Sequence, residues 1–197
     1  MIYIGGIDYY CLECQIFLNN PIANLPKIEY DGRCSLIGRF ERGTDTRAIL
    51  ALLFSYLQKN YPFVNQITFE DYSSRTCADQ REIDLAAFHY VFDLKTWYMT
   101  HMNARFAEPS EQIVFNKKTS EFQESKKATS WAKYDSFVTM RHPLPEKEMQ
   151  EMFQASKTWT EFFNAMKSRV EMGDLCTYMA PWISTFVRSF ANLQMEL

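Results

Sequence analysis

The sequence predicts an α/β (α+β) protein: a mixed central sheet with flanking helices over residues 1–107, a charged connector over 108–142, and a helical C-terminal extension over 143–197 packed on the core. Three observations carry this. The stretch from Ser35 to Tyr72 runs SLIGRF, ERGTDT, RAILALLFSYLQKNYP, QITFEDY, which spells strand, polar loop, amphipathic helix and strand, a βαβ unit. Before it lie short runs rich in Ile, Tyr and Phe, broken by glycines. Beyond Pro143 and Pro145, apolar residues recur at helical spacing to about residue 192.

Residues 2–18 read as two short strands around Gly5-Gly6. Asn19, Asn20, Pro21, Asn24 and Pro26 read as a loop, because each of these residue types breaks a ladder. Asp31-Gly32 then suits a hairpin turn between PKIEY and RCSLIGRF, since both residues tolerate positive φ. From Thr46 to Asn60, Ile49, Leu52, Leu53, Tyr56 and Leu57 share a helical face. Thr44 or Asp45 caps its start and Pro62 stops it. A strand at 66–69 ends in Glu70 and Asp71, and the polar run SSRTCADQR follows as a loop. Helices are expected at 83–92 and 96–102. Residues 115–133, crowded with Lys and Glu, read as an exposed, partly helical connector. The last helices are expected at 146–155, 157–170 and 174–192, with Met149, Met152, Phe153, Trp159, Phe162, Phe163, Met166, Trp182, Phe186, Val187 and Phe190 as core.

The 197 residues allow one well-buried core with an appendage, and a 47% hydrophobic share argues against disorder. A net charge of −3 removes the electrostatic drive towards nucleic acid or anionic membrane, so neither is expected as a partner. The longest helix-like apolar run, 48–57, is far short of a spanning segment. No basic residue precedes Lys27, the wrong order for a leader, and the five cysteines have no framework spacing. A reducing, cytoplasmic setting is the expectation.

Among chemical motifs, Cys11 and Cys14 form a C-x-x-C without two further ligands nearby, and they follow a strand-like run rather than opening a helix. Two small apolar residues in a strand is the simpler reading, and no metal site is expected. His89 falls on a buried face, His101 lies near a loop, and His142 has no partner at ligand spacing. No nucleophile elbow, phosphate-loop lysine or HExxH is present. Glu70 and Asp71, at the carboxyl end of a strand, stand where α/β sheets collect ligands.

The order SLIGRF, RGTDT, RAILALLFSYLQ, QITFED, and then a helix into TWYMTHMNARF resembles the GNAT superfamily of acyl-CoA-dependent N-acyltransferases over residues 33–107. The resemblance implies a loop whose amides hold the pyrophosphate of acetyl-CoA, here Arg42, Gly43, Thr44, Asp45, Thr46 and Arg47, with Arg42 in the first motif position. It implies Tyr98 as the acid that protonates the leaving thiolate, and Glu70 or Asp71 as base for an amine. Asp45 and Arg47 stand where that family has small residues, and only Gly43 remains. RGTDT, TWY and PLPEKEMQEMFQASKTWTEFF are also similar to GNAT-like proteins of large DNA viruses, which implies a host-cell or virion setting.

Two functions follow. One is a non-catalytic GNAT-like scaffold that works through a protein partner or self-association, with no tightly bound cofactor. Its ten methionines and sixteen phenylalanines can serve an interface as well as a core. The other is an N-acetyltransferase in which Tyr98, Glu70 or Asp71 moves protons and acetyl-CoA is the donor.

Overall fold

The computed structural model describes residues 1–5, 10–28, 44–69, 73–138 and 141–184. The protein is mixed α/β, and the chain divides after residue 71 into two compact units. The first carries a sheet of four strands in the order β1-β2-β3-β4, from β1 (Ile2–Gly5), β2 (Tyr10–Ile16), β3 (Ile22–Ile28) and β4 (Gln66–Thr68). β1, β2 and β3 form an antiparallel meander, and β4 runs parallel to β3 with Ala23 opposite Ile67. The parallel pair demands a crossover, and α1 (Thr44–Asn60) lies within it.

β3, α1 and β4 thus follow a strand–helix–strand order with a parallel pair, but β3 is not the strand from which the βαβ unit was expected to start. The strand expected at 36–40 and the Asp31-Gly32 turn lie outside the described residues. β3 corrects the loop expected over residues 19–26. The turn before it is closed by Asn20, whose backbone N–H donates to the Phe17 carbonyl and whose side chain accepts from the Ile22 N–H. Pro26 is tolerated because the β2–β3 register slips between Glu13 and Gln15, leaving Leu25 and Pro26 opposite Cys14, a bulge that needs no donor there. Ala23 and Leu25 are buried while Ile22 and Pro26 are exposed, the alternation of a strand with one face on a core.

On α1 the helical period is as expected and the phase is not. Leu50, Leu53 and Leu57 are buried, whereas Leu52 is 60% exposed and Tyr56 45%. The buried line thus runs through i, i+3 and i+7, and Leu52 faces out.

The second unit opens with a hairpin, β5 (Ser74–Thr76) and β6 (Glu82–Asp84), where a polar loop was expected. Ile83 is the buried anchor of an otherwise polar pair of strands, too little apolar signal for a sequence reading. The helices α2 (Leu85–Asp93) and α3 (Trp97–Met102) follow, capped by the Asp84 and Thr96 side chains. α4 (Pro109–Ser125), α5 (Trp131–Asp135), α6 (Glu146–Ala155), α7 (Trp159–Lys167) and α8 (Met172–Trp182) complete the described unit.

α2 belongs to this unit because α7 holds it. Thr160 Oγ1 donates to the Val91 carbonyl at 3.0 Å and Asn164 Nδ2 to that of Phe92 at 3.0 Å. The expected exposed connector is also corrected. Phe115, Phe122 and Tyr134 are buried, and Lys126 is only 5% exposed. Its Nζ donates to the carbonyls of Phe153 at 2.9 Å and Ser156 at 3.3 Å and sits 3.4 Å over the Phe153 ring. A cation there satisfies free carbonyls at the C-terminal end of α6 and its dipole. Burial holds the Lys126 ammonium below the usual lysine range, with Glu161 opposing the shift.

Candidate functional site

The residues expected around a pyrophosphate are only partly described. Arg42, Gly43, Glu70 and Asp71 lie outside the described residues. Thr44 and Asp45 form the first residues of α1, followed by half-buried Thr46 and exposed Arg47. Tyr98 is buried on α3, its ring edge-on to Trp97 at 5.1 Å. It belongs to the second unit, whereas residues 42–47 and 70–71 belong to the first.

The second unit builds a polar constellation that sequence spacing did not show. Tyr134 on α5 donates its hydroxyl to Tyr178 on α8 at 3.0 Å. The Tyr178 hydroxyl lies 2.9 Å from Nδ1 of His142, and Nε2 of His142 lies 2.9 Å from Oδ1 of Asp135. One proton arrangement satisfies every group: Tyr134 donates to Tyr178, Tyr178 to Nδ1, and Nε2–H to the carboxylate. Trp131 covers the imidazole at 5.3 Å between ring centres. Local structure places the parts: Ser130 caps α5, and Pro145 opens α6 at the far end of the loop that carries His142.

Beside this loop is an open groove of about 580 Å³ lined by Arg141, His142, Pro143, Leu144, Pro145 and Glu146. A general base needs a ring nitrogen free to take a substrate proton, and both nitrogens of His142 already have protein partners. The arrangement therefore ties α5, the 141–145 loop and α8 together, and leaves neither imidazole nitrogen free for a substrate proton. Tyr134, Asp135, His142 and Tyr178 are joined through separations of seven, thirty-six and forty-four residues; the two long ones exceed any motif spacing, and the seven crosses from the end of α5 into a loop rather than along one helix.

Burial pushes the phenols of both Tyr134 and Tyr178 well above their usual range, reinforced at Tyr134 by Tyr178 and Asp135. Burial raises Tyr90 too, against the Thr119 hydroxyl that receives its hydrogen bond. A phenol in the unfolded chain ionises near pH ~10, so above that point the unfolded state releases protons that the folded state keeps. The stability these groups contribute is full below pH ~10 and is lost as pH rises towards the folded values. Each phenol steepens the loss by up to about 1.4 kcal/mol per pH unit. Lys126 acts oppositely only up to about pH 10.4, where the unfolded lysine also deprotonates. Urea titrations at successive pH values above ~10 are expected to show a steep decline that Tyr134→Phe or Tyr178→Phe makes shallower; a slope equal to that of the wild type in both variants would contradict the assignment.

In the first unit, Phe54, Leu57, Pro62, Val64 and Ile67 line most of a groove of about 320 Å³ between α1 and β4. Leu52, Phe54, Tyr56 and Phe63 are exposed there or on α1. No cluster of three or more His, Cys, Asp or Glu side chains suited to a metal occurs among the described residues, and no described helix is long and apolar enough to cross a membrane. No family model matches the sequence, and neither curated proteins nor solved structures provide a match.

Proposed function

We propose that the chain is a non-catalytic, GNAT-like scaffold that acts by protein–protein interaction, and that the outward face of α1 docks an amphipathic helix with acidic ends. The observation that carries this is the composition of that face. Ala48, Ala51, Leu52, Ser55 and Tyr56 are all exposed and lie within one broad stripe of the helix. Small residues along the stripe let a second helix approach closely, and Leu52 and Tyr56 provide apolar anchors at its edge. Exposed Arg47 and Lys59 stand at opposite ends of α1, whose one acidic residue is Asp45 in the first turn, leaving the helix with a net positive charge. An antiparallel second copy would set these cations against each other, so charge favours a different, acidic partner.

The test uses two synthetic amphipathic helices with the same Leu/Ala stripe, one with Glu at both ends and one with Lys. The Glu peptide is expected to bind the full chain about tenfold or more tighter, a preference that Arg47→Glu/Lys59→Glu reverses and Leu52→Asp abolishes. Equal or absent binding of both peptides overturns the reading, as does a homodimer that Leu52→Asp disperses. Thermal melts with acetyl-CoA test the enzyme alternative. At ~100 times its dissociation constant a ligand stabilises by about 2.7 kcal/mol, or ~5–10 °C for a chain of this size. No shift is expected at millimolar acetyl-CoA; a shift of that size would restore the acyltransferase with Tyr98, Glu70 or Asp71 as its proton carriers.

A further inference from the structure

The cysteines depart most from the sequence reading. Cys77 and Cys176 are joined by a disulfide across a separation of 99 residues, with Cα atoms 5.6 Å apart. That separation is in the middle of the range an unforced bridge occupies. Cys11, in the first unit, is likewise disulfide-bonded. The free thiol among the described residues is Cys14, buried in β2, and burial raises its thiol above the usual range, which makes it a poor partner for exchange. An unpaired-thiol protein of a reducing compartment would have none of these bonds.

The two bridge partners come from elements fixed independently. Cys77 begins the turn of the β5–β6 hairpin, its N–H donating to the Arg81 carbonyl at 2.8 Å and its own carbonyl accepting from Gln80 at 3.0 Å. Cys176 is in the second turn of α8 between Leu175 and Tyr178, all of them buried. In the closed unit Cys77 is 4% exposed and Cys176 1%. At that exposure neither sulfur is open to an enzyme's disulfide in the closed unit, whereas both are while α8 and the hairpin are still apart.

We propose that this chain is a client of a thiol-oxidising enzyme, which installs Cys77–Cys176 before the second unit closes over it. The reaction is disulfide exchange with an oxidoreductase that carries a reactive disulfide. One client thiolate attacks an enzyme sulfur, a mixed disulfide forms, and the other enzyme sulfur leaves as thiolate. The second client thiolate then attacks the client sulfur of the mixed disulfide, which closes Cys77–Cys176 and releases the enzyme as a dithiol. Two electrons pass to the enzyme's disulfide, and the two client thiols lose their protons. Burial then protects the bond from the glutathione pool, which makes it a lasting part of the fold rather than a reversible switch.

The test is differential alkylation of the full chain after acid quench, read by peptide mass spectrometry at Cys77 and Cys176. Three arms are compared: a reducing cytosol, the same cytosol with a sulfhydryl oxidase, and export to an oxidising compartment. The oxidised fraction is expected to rise about tenfold or more with the oxidase or on export, and the two arms tell which source suffices. Both thiols alkylated in every arm, or full oxidation in the reducing cytosol alone, overturns the proposal. Single Cys77→Ala and Cys176→Ala chains supply a readout that does not require the native fold. Each is expected to trap the oxidase as a mixed disulfide on the remaining partner, Cys176 or Cys77, located by peptide mass spectrometry among the four cysteines left, and failure of both to trap it there overturns the proposal as well.

Discussion

Truncation of Trp159 to alanine is expected to remove about 3–5 kcal/mol from the stability of the second unit. Trp159 is fully buried at the start of α7. Its ring centre lies 5.1 Å from that of Trp182, 5.7 Å from Tyr134, 5.9 Å from Phe153 and 6.1 Å from Phe163. Those rings belong to helices held by their own contacts: Tyr134 by Tyr178, and Phe153 by the Lys126 cation on its face. They are stiff and their backbones are pinned, so the space left by the indole closes only in part, and the cavity adds to the lost burial. The indole Nε1–H also donates to Ser125 Oγ at 2.9 Å. Trp159→Phe keeps most of the packing and loses that bond, and should cost only about 1–2 kcal/mol. Urea unfolding of the full chain, monitored at near-ultraviolet wavelengths, checks both. A loss under about 1 kcal/mol for Trp159→Ala at unchanged m-value would place the residue outside a shared core.

What the sequence made legible followed from local periodicity. Of the core positions expected in α6 and α7, Met149, Phe153, Trp159, Phe162, Phe163 and Met166 are buried and Met152 is half-buried, while Phe186, Val187 and Phe190, expected further along the chain, lie outside the described residues. The entry to α7 is fixed locally as well, by a signal the periodicity reading did not use. Thr158 Oγ1 accepts from the Glu161 N–H, the start signal of a Thr followed three residues later by Glu. Where local signals failed, the missing partner was distant. β3 contains Pro and Asn yet is a strand, because β2 and β4 flank it and a bulge excuses Pro26. α4 shows only two buried side chains, Phe115 and Phe122, seven residues or two turns apart, amid lysines and glutamates. One of those lysines, Lys126, is itself buried, which a charge-based reading assigns to solvent. His142 found its partners through a turn and a helix thirty-six residues away, beyond any motif spacing. Of the residues proposed for an acyltransferase, the sequence could name types and order but not proximity, and Tyr98 falls in the second unit and the loop residues in the first.

Reduction of Cys77–Cys176 is expected to have an effect of the same size as losing the central indole, by a different route. The bond closes a loop of 99 residues in the unfolded chain. In the chain-entropy account, a loop of about 100 residues raises the free energy of the unfolded state by about 4.7 kcal/mol relative to the open chain. Typical domains hold only about 5–15 kcal/mol of stability, so loss of the bridge would leave the second unit marginal. The mechanism predicts more than a lower midpoint. An unfolded chain released from its loop is more extended and exposes more surface, so the denaturant m-value should rise on reduction. In contrast, Trp159→Ala leaves the unfolded state unchanged and should lower the midpoint at constant m. The Cys77→Ser/Cys176→Ser chain under oxidising conditions separates this from reduction at Cys11. If that double variant unfolds at the midpoint and slope of the oxidised wild type, the bridge contributes nothing through the unfolded chain, and packing around α8 alone holds the hairpin. If it matches the reduced protein in both midpoint and slope, the stability resides in the covalent link.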